Sequence, residues 1–315
     1  MRKIMVIFIG CILLGLLITG CQSDEQSELI DPIENVESEV IIELEEEIPI
    51  EPVPAPVVQE AVPAPIKTES TTAFELHILD IGMGDSALIK TQRGTNILYN
   101  CGRTEDAENI ITYLNKQGVT KIDALIVSHD SREVVGGCSE VMKNFEIGKV
   151  YTNGKAGNSQ EFGRFEYQAI GIGLQRVAGA QRIVLDEDLV TIFYTAFVKG
   201  GTQMLHVWDE SLVLWIGYDD VSFLLPGHCR GGCEKRIMGI EEDLEADVLW
   251  LGDHGHRDAT TYEFIDAVKP NIAIISSGID GNPLRLPHAE TLDRLHGESA
   301  RVYRTDTSGN IVITT

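Results

Sequence analysis

Basic residues are scarce. The 315-residue chain carries 25 Lys and Arg against 49 Asp and Glu, a formal charge of −24. A surface that tracks phosphates needs the opposite balance, so a nucleic-acid coat is excluded. No long apolar run follows residue 18, so residues 19–315 offer no spanning helix. No repeat of fixed length is present. Cysteines number only six. Apolar residues are not scarce: at 43% they suffice for a core, so the chain as a whole is not disordered.

The charge is uneven. Residues 1–21 carry +2, residues 22–72 carry −13, and residues 73–315 carry the other −13. The first segment reads as an address. Arg2 and Lys3 precede an apolar stretch from Ile4 to Ile18, short for a membrane span and suited to a signal. It ends in Ile18-Thr19-Gly20-Cys21, which resembles a bacterial lipobox. That resemblance implies a lipoprotein signal peptide over 1–20, cleavage before Cys21, and a lipid on its thiol. An uncleaved anchor or an ordinary secretory signal would export the chain as well. The expected location is extracytoplasmic, on a membrane.

Residues 21–72 read as an acidic, disordered linker. Seven of the eleven prolines lie between 22 and 72, in runs such as Glu51-Pro52-Val53-Pro54-Ala55-Pro56. Such sequence is extended and self-repelling. Its reach is on the order of 100 Å at about 3 Å per residue. Val40-Ile41-Ile42-Glu43-Leu44 could order transiently, but the acids after it argue against packing.

The folded part is expected over 73–315. Phe74, Leu76 and Ile78 alternate as a half-buried strand does. Further strands are expected at 86–90, 95–99, 124–128 and 150–151. Others follow at 181–185, 189–196, 211–217, 221–225, 248–251, 272–276, 302–304 and 311–314. Helices are expected after Asp106, around Val141, and over 162–170, 261–268 and 289–295. Gly231-Gly232 suit a loop. Mixed strands and helices over this length imply a layered α/β or α+β domain.

The motifs narrow this. Leu79-Asp80-Ile81-Gly82-Met83-Gly84-Asp85-Ser86-Ala87-Leu88-Ile89 resembles the L-D-V-G-Q-G-D-S-x-L-I segment of one metallo-β-lactamase-fold branch. That branch includes the C-terminal extracytoplasmic domain of the competence protein ComEC. Asn96–Gly102, Ile122–His129, Ser211–Leu214 and the closing Thr305-Asp306 with Gly309-Asn310-Ile311 resemble further segments in the same order. The resemblance implies a four-layer αββα sandwich, with the site at the strand ends between two sheets. It also implies two divalent metals that share and acidify a hydroxide.

The ligand positions depart from that pattern. The branch's T-H-x-D-x-D-H-x-G-G reads Ser128-His129-Asp130-Ser131-Arg132-Glu133-Val134-Val135-Gly136-Gly137. Val134 has no donor atom, and Arg132 brings a cation into the loop. The bridging aspartate of L-L-T-G-D is His228 in Leu224-Leu225-Pro226-Gly227-His228. A neutral imidazole binds one metal where a carboxylate bridges two. H-H-G-S reads Asp253-His254-Gly255-His256, and the late N-x-Y-G-H-P places Leu286 where a histidine is usual. Asn100 replaces an aspartate. The dinuclear centre is therefore expected to be lost.

His129, His228, Asp253 and His254 would still converge on this fold, as polar remnants or as ligands of one zinc. No cofactor is the first expectation and a single zinc the alternative. Asp80, Asp85, Asn100 and Glu133 would stand behind them as a second tier. His256 with Asp258 offers an acid/base pair or a chance loop neighbourhood. His77, His206, His288 and His296 fit no pattern. Cys101, Cys138, Cys229 and Cys233 remain after the signal, and two disulfides in three connectivities are open. The resemblance puts all four on one rim and favours Cys101–Cys138 with Cys229–Cys233, a thiolate metal site beside His228 being the alternative.

Two functions remain. One is a non-catalytic, lipid-anchored binding or accessory module for a protein or small-molecule ligand. The other is a remodelled metal-dependent hydrolase, a phosphodiesterase or nuclease linked to DNA uptake. The acidic domain disfavours direct DNA binding, although bound dications reverse a local field.

Overall fold

The computed structural model describes residues 4–8, 39–44, 74–155, 157–196, 210–241, 243–278, 282–297 and 300–315. Cys21, His206 and most of the expected signal and linker lie outside the described residues.

The chain builds one sheet, then a second, then returns to the first. The first half contains β1 (Ile4–Phe8), β2 (Glu39–Leu44), β3 (Glu75–Ile78), β4 (Ala87–Lys90) and β5 (Asn96–Tyr99). Then come α1 (Ala107–Lys116), β6 (Lys121–Val127), α2 (Arg132–Val135), α3 (Cys138–Asn144), β7 (Glu146–Asn153), α4 (Gln160–Ile172) and β8 (Leu174–Val177). The second half contains β9 (Ala180–Arg182), β10 (Val190–Thr195), β11 (Leu212–Tyr218), β12 (Val221–Leu225), α5 (Gly231–Met238) and β13 (Val248–Trp250). It closes with α6 (Tyr262–Val268), β14 (Ile272–Ile275), α7 (Ala289–Gly297), β15 (Arg301–Arg304), α8 (Thr305–Ser308) and β16 (Asn310–Thr314). One sheet runs β1-β2-β16-β3-β4-β5-β6-β7-β8, and the other β15-β14-β13-β12-β11-β10-β9.

Strand alternation explains the layers. In β5, Ile97 and Tyr99 face the other sheet, and Leu98 faces the helices α1, α3 and α4. In β12, Phe223 and Leu225 face the first sheet, and Leu224 faces α5, α6 and α7. Both faces of each sheet are covered, so these strands read as continuous apolar runs. The result is the expected αββα sandwich.

Two local differences from sequence stand out. Gly231-Gly232 open a helix, α5, rather than a loop. Tertiary burial of Cys233 and Ile237 overrides the weak glycine propensity there. Glu39–Leu44, expected to stay in the linker, pairs in parallel with β16, and Ile4–Phe8 pairs antiparallel with it in turn. The apolar run 40–42 and the open edge of β16 satisfy each other's backbone groups.

The two sheets are tied by Tyr99. Its buried hydroxyl lies 2.9 Å from the Leu212 carbonyl and 3.0 Å from that of Leu225, both on the second sheet. Cys101 is bonded to Cys138, with Cα atoms 5.1 Å apart, and Cys229 to Cys233, with Cα atoms 5.3 Å apart. The first bond closes the longer loop.

Tyr99→Phe is expected to lower unfolding free energy by about 1–2 kcal/mol, since buried carbonyls lose their donor; urea titration measures it. Cys101→Ser with Cys138→Ser is expected to cost about 2–4 kcal/mol. Thiol titration of denatured, unreduced residues 74–315 should find no free cysteine.

Candidate functional site

The site lies at the strand ends between the sheets. The loop from Leu79 to Ser86 delivers Asp85 just before β4. Its backbone N–H donates to the Glu133 carbonyl at 2.9 Å, and its carbonyl accepts from Gly102 at 2.8 Å. Asn100 follows β5 in a left-handed conformation, φ 62°, and its Oδ1 accepts the Ser128 N–H at 2.9 Å. That bond orients the turn that carries His129.

His228 follows β12 on a turn only glycine fits. Gly227 has φ +58°, and a Cβ there would lie 2.5 Å from Ser128 Oγ. The Ser211 hydroxyl accepts the His228 N–H at 3.1 Å and donates to the Pro226 carbonyl at 2.9 Å. Asp253 and His254 follow β13 with φ 46° and 54°. Successive non-glycine residues in this region are strained. The Asp253 N–H donates to the Gly227 carbonyl at 2.9 Å, which joins the two turns.

These turns bring a charged cluster together. His228 Nε2 lies 3.4 Å from Asp85, and His254 Nδ1 lies 3.5 Å from the other Asp85 oxygen. His228 Nδ1 lies 3.3 Å from Ser131 Oγ and 3.9 Å from Asp253. Arg230 Nε donates to the remaining Asp253 oxygen. His129 stacks on His228 with ring centroids 5.8 Å apart. Exposure is 4% for Asp85, 2% for His129 and His228, 5% for Asp253 and 3% for His254.

Burial opposes charge here, and the partners outweigh it. The Asp85 carboxylate, then Asp253 and Glu133, hold the His228 imidazole above its ordinary pKa against desolvation. His228, His254 and Arg230 hold the Asp253 carboxyl below its usual range against the same penalty.

The candidate residues thus divide. Among the described residues, Asp85, His228 and His254 offer ligand atoms within 4.8 Å of one another. Asp85, expected in the second tier, stands in the group itself. Asp253 is taken by Arg230, and His129 stands outside the group. Asn100 and Glu133 support the turns. Asp80 is exposed, and its backbone N–H donates to Asn310 Oδ1 at 2.7 Å. Val134 and Leu286 are buried apolar side chains, so a dinuclear centre does not fit. A single metal fits the donor chemistry of the other three. His254 Nδ1 faces the Ser276 carbonyl at 3.2 Å and must donate to it; the opposite Nε2 is buried and has no hydrogen-bond partner among the described residues. Metal-bound histidines commonly hold this arrangement.

His256 Nδ1 lies 3.7 Å from the Asp258 carboxylate but accepts the Asp258 backbone N–H at 3.1 Å. Its lone pair is already used, so the two do not form an acid/base pair. His77 is a core residue, 2.8 Å from the Tyr113 hydroxyl. Sequence reasoning did not single out Arg230 or Glu234. Glu234 is buried on α5 and accepts from the Thr261 N–H at 3.0 Å and the Thr261 hydroxyl at 2.7 Å, beside the turn that carries His254.

Burial pushes the Glu234 carboxyl up to about 7, against the Thr261 and Thr260 donors and Arg294. The folded chain therefore holds this proton more tightly than the unfolded chain. The group's contribution is full below about 4.5 and is lost as pH rises to about 7. Subtracting the melting profile of Glu234→Gln from wild type between pH 4.5 and 8 should show that slope, flat above 7.

No protein-family model matches the chain. It is 27% identical over 258 residues to ComE operon protein 3 of Bacillus subtilis, covering 75% of this chain and 32% of that protein. It is also 27% identical over 258 residues to Recombination protein 2 of Haemophilus influenzae, covering 78% and 29%. Against Competence protein ComA of Neisseria gonorrhoeae it is 25% identical over 241 residues, covering 74% and 31%. The chain spans about a third of the length of these relatives. Solved structures with likeness include the metallo-β-lactamase fold protein YhfI from Bacillus subtilis, with TM-score 0.49 and 10% identity, covering 76% of this chain and 99% of that one. Zinc-bound PqqB from Methylobacterium extorquens has TM-score 0.46 and 10% identity, covering 72% and 86%. The sequence relatives and the αββα layer order, not these superpositions, carry the fold assignment. Together these make the chain a ComEC-like protein of the metallo-β-lactamase fold.

Proposed function

We propose that this chain is an exported, lipid-anchored accessory module that keeps a ComEC-like domain and uses it for binding rather than hydrolysis. The anchor is Cys21. One of the relatives is named a competence protein, so the working place is the cell envelope, near DNA uptake. The ligand is a protein or a small molecule, since an acidic domain disfavours direct contact with DNA. Among the described residues no helix is long and apolar enough to cross a membrane.

One observation carries the non-catalytic reading. A dinuclear metallohydrolase holds its ions through histidine imidazoles. Val134 and Leu286, 0% and 4% exposed, fill positions where the resemblance expects imidazoles.

A second reading is supported by the convergence of Asp85, His228 and His254. A zinc held there would act as a Lewis acid toward water or a phosphodiester. The chain's own part would be orientation. Ser276 fixes the His254 tautomer through its carbonyl, and Ser131 and Asp253 fix the His228 ring.

Metal analysis of the purified mature chain, with bis(p-nitrophenyl) phosphate and single-stranded DNA as substrates, separates the readings. The expected result is no turnover with or without added zinc. Turnover that His254→Ala abolishes would sink the binding reading. Cys21→Ser is expected to release the chain from the membrane fraction.

A further inference from the structure

The buried cluster holds one permanent cation that none of the sequence motifs announces. Arg230 lies between β12 and α5, directly after Cys229 and before Gly231. Its Nε donates to Asp253 Oδ2, and its side chain is only 17% exposed against 7% for that of Asp253. The backbone around it is held on both sides. The Cys229–Cys233 bond closes the loop, Gly231 N–H donates to the Asp258 carbonyl at 2.8 Å, and Glu234 N–H donates to the Arg230 carbonyl at 2.9 Å. The guanidinium is thus delivered to Asp253 by the covalent frame of the turn.

The charge arithmetic explains why it is needed. Asp85 and Asp253 are two buried carboxylates a single imidazole apart, with His228 3.4 Å from one and 3.9 Å from the other. A buried carboxylate with no cation is strongly destabilising. A divalent ion would neutralise both. Arginine is never deprotonated in a protein and cannot be displaced by a change in metal supply. Its charge also raises the cost of placing a dication among neighbouring ligands.

We propose that Arg230 is a built-in cation that substitutes for a metal ion at Asp253. It neutralises that carboxylate, withdraws it from any ligand set, and repels a dication from Asp85, His228 and His254. The inference rests on the reading that the dinuclear centre is lost, and it adds that the fold stands without metal because of Arg230.

Arg230→Met keeps the apolar stem and removes the charge. The mature chain and this variant are melted in EDTA and in zinc, and zinc affinity is read by competition with a chelating dye. The wild type is expected to melt at the same temperature in both. The variant is expected to melt lower in EDTA, to recover in zinc, and to bind zinc on the order of 100-fold more tightly. Arg230→Met with Asp253→Asn removes both charges; it is expected to fold in EDTA and to show no gain. A folded Arg230→Met with unchanged zinc affinity overturns the proposal. So does a gain that persists in the double variant, or a double variant that needs metal to fold. Wild-type turnover bears on the non-catalytic reading alone, so the two ideas fail separately.

Discussion

Asp85 and Asp253 sit at 4–5% exposure, where an uncompensated carboxylate costs several kcal/mol. Each needs a cation close by, and the loops around the site are arranged to supply one. The β12–α5 turn brings His228 toward Asp85 and Arg230 to Asp253. Ser211, Gly227 and the Cys229–Cys233 bond then fix that turn. Remove the carboxylates and little of this apparatus has a purpose.

The scaffold beneath is indifferent to the chemistry above it. Tyr99, Phe223 and the other residues between the sheets form an apolar core, and helices cover both outer faces. Such a frame holds its strand ends in place whether they carry a metal, an ion pair or nothing. The left-handed backbone at Asp253 and His254 costs about 1–3 kcal/mol per residue. It persists here with Asp253 joined to Gly227 through the backbone and His254 facing Ser276.

Much of the frame was legible in the sequence. Alternation at Leu76 and Ile78, with Phe74 just before the strand, and the apolar runs at 221–225 and 272–275, fall on real strands. Order and spacing of the motifs then placed His129, His228, Asp253 and His254 at one end of the sandwich. What was illegible depends on contacts distant in sequence. Arg230 and Asp253 pair across 23 positions with no periodic signal. Asp85 enters the donor group only because its loop folds back against Glu133. The helix α5 runs against its two leading glycines, and only the burial of Cys233 and Ile237 explains it.

The strand β2 changes the standing of the last strand in the sequence. It pairs with one side of β16 while β3 pairs with the other. Glu43 and Glu75 therefore flank Thr314 about 10 Å apart, at two strand spacings. The C-terminal strand is thereby an interior strand with its backbone groups taken on both sides, and it leaves no open edge there for another chain to join.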